Sequence, residues 1–220
     1  MNELSHINNV LIDGLKFCSE VYAIFEKIRQ HPTGIERLRK RETNVEKLVL
    51  EELLPICRYI QTFYRSGRYI SVRWIDGSQP FDAEFHQVGD YIKYGYFPEF
   101  GYLEVTSAMH KNEHETWKLD ASFAPEGIKR KGKSVTSELV SFEYQEHVEK
   151  FVPIVLKEIT KKIAKNYPEN TSLIVQCYLN TLYLDNEWEN LIQEVKNKLP
   201  KHSFREILIF DGLTYRTAVL

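Results

Sequence analysis

Two stretches near the end of the chain, separated by one helical pattern, constrain the fold more than any other feature. Residues 172–179 (Ser-Leu-Ile-Val-Gln-Cys-Tyr-Leu) are almost continuously apolar, and residues 204–210 (Phe-Arg-Glu-Ile-Leu-Ile-Phe) run into the turn signal Asp211-Gly212. An apolar run without alternation marks a strand covered on both faces. Between the two, Asp185 opens a helical pattern that turns Trp188, Leu191, Ile192, Val195 and Leu199 inward, and Pro200 closes it. Strand, helix and strand with short links predict a parallel pair joined by a right-handed crossover. The chain is thereby held to the α/β class.

Upstream, residues 7–30 carry Ile7, Val10, Leu11, Leu15, Val21, Ile24, Phe25 and Ile28 at mostly helical spacing, with Gly14 weakening the middle. His31-Pro32-Thr33-Gly34 is a break, and Arg37-Leu38-Arg39-Lys40-Arg41 reads as a solvated helix face or a phosphate contact. Thr43-Asn44-Val45-Glu46 fits a capping box and opens a helix to about Tyr64. At 100° per residue Val45, Leu48, Val49, Leu53, Ile56, Ile60 and Phe63 form its apolar stripe, and Pro55 is expected to bend or restart it. Glu52 falls inside that stripe while Glu51 points nearly the opposite way. A carboxylate there is costly unless it pairs with a core-facing Arg or Lys or coordinates a metal.

The chemistry concentrates in residues 80–106. If 81–86 and 101–106 are strands, Asp82, Glu84 and His86 share one face of the first, and Glu104 and Thr106 one face of the second. Phe81, Ala83, Phe85, Leu103, Val105 and Met109 are then core material. Two adjacent strands presenting carboxylates supply what a divalent cation needs. Between them, residues 89–100 (Gly-Asp-Tyr-Ile-Lys-Tyr-Gly-Tyr-Phe-Pro-Glu-Phe) are aromatic enough to stack on a base or to pack over the sheet edge. Residues 125–134 read as a flexible basic loop whose Lys129, Arg130, Lys131 and Lys133 are either solvated or in contact with phosphates. A helical pattern over 137–167 carries Leu139, Phe142, Val148, Phe151, Val152, Val155, Leu156, Ile159 and Ile163, bent or interrupted at Pro153.

Net charge is −2, so any nucleic-acid surface must be local rather than global. The three cysteines, Cys18, Cys57 and Cys177, lie far apart in apolar contexts and are expected as buried thiols. No apolar run approaches the roughly 18 residues of a membrane helix, and the start Asn2-Glu3 is unlike a signal peptide. The expectation is a soluble, cytoplasmic protein without membrane contact. Residues 1–42 read as an N-terminal helical extension, suited to a homodimer or protein partner, and 43–220 as one α/β domain.

From Thr43 onward the expected order is helix, three strands, helix, strand, helix, strand, with Asp82 after Pro80-Phe81 and Glu104-Val105-Thr106 on the next strand. That order and those acids resemble the PD-(D/E)xK phosphodiesterase superfamily, the fold of restriction endonucleases. The resemblance implies an αβββαβ core with a mixed central sheet and metal-dependent cleavage of nucleic acid. It also implies Mg²⁺ or Mn²⁺ held by Asp82 and Glu104, with Glu52 matching the acid of the first helix. Two departures stand out: Phe81 separates Pro80 from Asp82, and Thr106 occupies the place of the family's lysine. A hydroxyl carries no positive charge, so Lys111, with Lys93 and Lys118, becomes the candidate source of the amine. The alternatives are a catalytically silent relative that binds nucleic acid or a protein, and acids that merely decorate a solvated sheet face.

Overall fold

A computed structural model describes residues 3–113, 116, 127–132, 134–140, 144–178 and 185–220. Strand β1 (Ile12–Asp13) leads into helix α1 (Gly14–Arg29), then α2 (Gly34–Lys40) and the long helix α3 (residues 44–63). Strands β2 (Tyr69–Trp74), β3 (Ala83–Val88) and β4 (Phe100–Ala108) follow, with the short helix α4 (Asp90–Lys93) between the last two. A hairpin of β5 (Ile128–Lys131) and β6 (Ser134–Ser137) precedes the long helix α5 (Tyr144–Ile163). The chain ends with β7 (Thr171–Cys177), α6 (Asp185–Lys198), β8 (Ile207–Asp211) and β9 (Thr217–Val219).

The architecture is mixed α/β around a seven-stranded sheet of order β1-β2-β3-β4-β7-β8-β9. The β4–β7 and β7–β8 pairs are parallel and the others antiparallel. Every residue of β7 and of β8 is buried, as the unalternating apolar run requires. Ile174 packs with the residues of α1 and α3, whereas Leu173 and Val175 pack with Val155 and Ile159 of α5 and Leu191 and Val195 of α6. Each such aliphatic side chain contributes about 1.5–3 kcal/mol on full burial, and the sheet is thus sandwiched between two helical layers.

Several elements differ from the sequence expectation. The first helix starts at Gly14, not near Ile7, because residues 12–13 pair with Val72 and Ser71 at the sheet edge. Asp13 caps it, its Oδ1 accepting from the amides of Leu15 and Lys16 at 3.0 and 3.3 Å. Gly14 therefore opens the helix instead of weakening its middle, and a Cβ there would lie 2.6 Å from the Ile70 carbonyl oxygen. Through β1 and α1 the N-terminal residues share the sheet and core of the later chain.

The capping box of Thr43 and Glu46 opens α3. At Pro55 the α-helix begins anew: residues Val49–Leu53 widen into one π turn, and Pro55 sits in the first turn of the α-helical stretch that continues from it. The wider turn accommodates a residue that has no N–H to donate. Ile128–Lys131 and Ser134–Ser137 pair as a hairpin in place of the expected flexible loop, with Gly132 at φ +63°. The following helix is described over Tyr144–Ile163 and runs through Pro153; Leu139 is 93% exposed, and Phe142 lies outside the described residues.

Candidate active site

Asp82 stands one residue ahead of β3, where that strand parts from β4. Its amide donates to the Leu103 carbonyl at 2.9 Å and its carbonyl accepts from Ile75 at 3.0 Å, so the backbone is pinned from both neighbouring strands. Its side chain then takes the next ladder position: Oδ2 accepts from the Val105 amide at 2.6 Å. Covalent geometry places that oxygen within about 5 Å of the Glu104 Cα, since the Val105 nitrogen is one carbonyl carbon away. Phe81, the residue inserted after Pro80, packs on Tyr102 with ring centroids 4.5 Å apart.

Glu104 alternates with Leu103 and Val105, which face α1 and α3, and so points to the α5 side of the sheet. There its Oε1 accepts from Lys162 Nζ at 2.5 Å and from the Tyr167 hydroxyl at 3.2 Å. Glu104 is 6% exposed. On the other side, Glu52 projects from α3, and its Oε2 accepts from the indole Nε1 of Trp74 at 3.1 Å. The partner that satisfies this inward-facing acid is an indole N–H, not the Arg or Lys side chain expected for a structural pair.

These groups feel one another. Burial first, and then the charges of Glu104 and Glu52, push the Asp82 carboxyl up to about 7, against the opposing pull of the Val105 amide and Lys162. Burial also raises Glu52, with the Trp74 N–H opposing. The Tyr167 hydroxyl is raised by burial, then by Glu104 and Asp82. Like charges crowded into a half-dry site disfavour ionisation, a pattern enriched at catalytic centres. Among the described residues, however, no three His, Cys, Asp or Glu side chains are gathered closely enough to enclose a metal ion.

The remaining candidates scatter. Thr106 follows Glu104 on the same face, half-buried and paired in register with Val175. Lys111 is exposed in the turn beyond β4, and Lys93 pairs with Asp90 at 3.5 Å in α4. Glu84 forms a cross-strand ion pair with Arg73, and His86 packs against Phe100. Lys129, Arg130 and Lys131 are exposed on the β5–β6 hairpin, with Lys129 2.6 Å from Glu138. Lys118 and Lys133 lie outside the described residues. In the N-terminal basic patch, Arg37, Lys40 and Arg41 pair with Glu46, Glu36 and Glu51.

Lys162 and Tyr167 are absent from the sequence reading, although α5 carried a signal for the first. Val155 and Ile159 are its most buried positions, and position 162 follows at the i+7 and i+3 spacing of the same stripe. An aromatic row also leads away from Asp82 on the Glu104 face: Phe81 to Tyr102 at 4.5 Å, Tyr102 to Phe100 at 5.0 Å, and Phe100 to His86 at 4.7 Å. The adjoining loop is fastened by the fully buried Arg68, which donates to Gln87 at 2.6 Å and lies 3.8 Å from the Phe97 ring centroid. Tyr94 and Tyr96 remain exposed on that loop, at 73% and 66%.

No known protein family, curated protein or solved structure matches the chain.

Proposed function

We propose that the chain is a divalent-cation-dependent phosphodiesterase that hydrolyses nucleic acid on a restriction-endonuclease-like αβββαβ core. The observation that carries this reading is the delivery of the Lys162 amine to Glu104, beside Asp82. It supplies from α5 the positive charge that Thr106 cannot. The donor set is all hard oxygen, which suits Mg²⁺ or Mn²⁺. Mg²⁺ is commonly held by only one or two carboxylates, with water and substrate phosphate completing its shell, so Asp82 and Glu104 would suffice without a third carboxylate among the described residues. When bound, the cation would neutralise the developing charge on the phosphoryl oxygens and acidify water.

The chain's own groups divide the rest of the work. Lys162 spends one N–H on Glu104 and has two more for a water or a phosphate oxygen. In the metal-free protein burial and the Glu104 and Glu52 charges hold the Asp82 carboxyl up at about 7, a crowding of like charge that a bound cation would relieve. The row of Phe81, Tyr102, Phe100 and His86 offers ring faces and edges on which bases stack, worth about 1–3 kcal/mol each. Exposed Lys129, Arg130 and Lys131 reach for backbone phosphates without reading sequence.

One observation favours a second reading. Glu104 is engaged by both Lys162 and Tyr167, the pattern of a structural pair in a catalytically silent binding protein. A labelled single-stranded oligonucleotide incubated with Mg²⁺ or Mn²⁺ separates the two. Wild-type cleavage that disappears in Asp82→Ala and Glu104→Ala is the expected outcome. Cleavage that survives both substitutions refutes the hydrolytic site, and binding without any cleavage establishes the silent one.

A further inference from the structure

On the opposite face of the sheet from Glu104 and Lys162, a cavity of about 410 Å³ opens between α1–α3 and the carboxyl ends of β7 and β8. Its size falls in the range of small-molecule sites, about 300–1,000 Å³. The carboxyl ends of parallel strands are where α/β sheets take ligands. Among the described residues four arginines line it, Arg29, Arg39, Arg41 and Arg58, and no Asp or Glu does, while Glu26 and Glu51 pair with Arg29 and Arg41 from outside the lining. The apolar part of the wall includes the rings of Tyr178, Phe210 and Tyr215. Such a lining suits a ligand with an anionic end and a flat aromatic end.

Gln176 tells what the aromatic end carries. It lines the cavity, is 8% exposed, and its Oε1 has no hydrogen-bond partner among the described residues. A buried amide oxygen left unmade costs about 1–3 kcal/mol, which a ligand N–H would recover. A glutamine carboxamide both accepts and donates, and so matches the amino group and ring nitrogen at the edge of a purine such as adenine. At the rim Arg58 is already held, by Thr217 Oγ1 through Nε at 3.2 Å and by the Tyr215 carbonyl through Nη2. Those bonds use Nε and Nη2, not Nη1. Arg41 is fixed by Glu51 at 2.8 Å and by the Tyr178 hydroxyl at 3.2 Å. Guanidinium groups fixed in advance bind a phosphate without losing further side-chain freedom.

We propose that this cavity binds a purine nucleotide, its base edge on Gln176 and its phosphate on the arginine rim, either as the free mononucleotide or as the 5′-phosphorylated end of a chain. The site uses none of the residues assigned to hydrolysis and stands apart from that reading.

Calorimetric titration of the full-length protein in EDTA tests it, with AMP, a 5′-phosphorylated oligoadenylate and inorganic phosphate as probes. One AMP per chain is expected if the ligand is free, and oligoadenylate without AMP if it is a chain end. Gln176→Met, which keeps the shape and removes the carboxamide, should weaken whichever binds by about 10-fold or more, the equivalent of one buried hydrogen bond. Leu50→Trp, which fills the cavity from α3, should abolish binding and serves equally if the first variant does not fold. The proposal is overturned if neither nucleotide probe binds. It is also overturned if either variant binds like wild type, or if inorganic phosphate binds as tightly as AMP.

Discussion

Replacing Asp82 with Asn should make the metal-free protein more stable, by a margin that grows as pH rises from about 4 to about 7 and then levels off. Asparagine keeps an oxygen to accept from the Val105 amide while removing the charge. In the folded wild type, burial and the Glu104 and Glu52 charges lift the carboxyl from its ordinary 3.8 to about 7. Between those values the folded chain holds a proton that the unfolded chain has released. Stability therefore falls as pH rises through this window and levels off above it. At about 1.36 kcal/mol per pH unit the gap corresponds to about 4 kcal/mol. Water entry and relaxation around a partly exposed group lower the figure, and an advantage of about 2 kcal/mol for Asp82→Asn at pH 8 is expected, shrinking to near zero at pH 4. Urea unfolding in EDTA at pH 4, 6 and 8, followed by tryptophan fluorescence, measures it directly. An Asp82→Asn protein less stable than wild type at pH 8, or one whose difference ignores pH, would show Asp82 to be an ordinary structural charge.

Other substitutions probe the supports of the site. Lys162→Met strands the buried Glu104 carboxylate and should cost about 2–4 kcal/mol in urea unfolding along with at least about 100-fold in cleavage rate. Lys162→Arg should recover the stability. Arg68→Met removes a fully buried guanidinium that ties Gln87 to Phe97, and should lower stability by about 3 kcal/mol while exposing residues 89–100 to limited proteolysis. Gly101→Ala places a Cβ 2.5 Å from the Asn170 carbonyl oxygen and from Phe85 Cζ. It should cost about 1–3 kcal/mol through overpacking, read as a lower thermal midpoint.

Periodicity carried the reading of the fold a long way. The unalternating apolar run that begins at Ser172 marked a doubly covered strand, and the capping box marked the start of α3 to the residue. The same periodicity misjudged residues 7–13, of which Asn8, Ile12 and Asp13 pair with the sheet edge instead. An edge strand of two residues has no period of its own to read. For the candidate site, the azimuth of Glu52 and the ladder position of Asp82 were legible, because both follow from local geometry. Lys162 was not singled out. Its role depends on the parallel alignment of β4 with β7, which brings the end of α5 over Glu104, and no local pattern encodes that alignment. Two of the basic residues at 37–41 show the converse: Arg37 and Lys40, which looked open to phosphate, are spent on Glu46 and Glu36.

Calorimetric titration of Mn²⁺ into the full-length protein at pH 8 tests most directly whether Asp82 and Glu104 act together as a cation site. One ion per chain on the wild type, bound at least about 10-fold more weakly by the Asp82→Asn/Glu104→Gln double variant, is the result expected from two carboxylates sharing one cation. A wild type that takes up no Mn²⁺, or a double variant that binds it undiminished, would contradict the account.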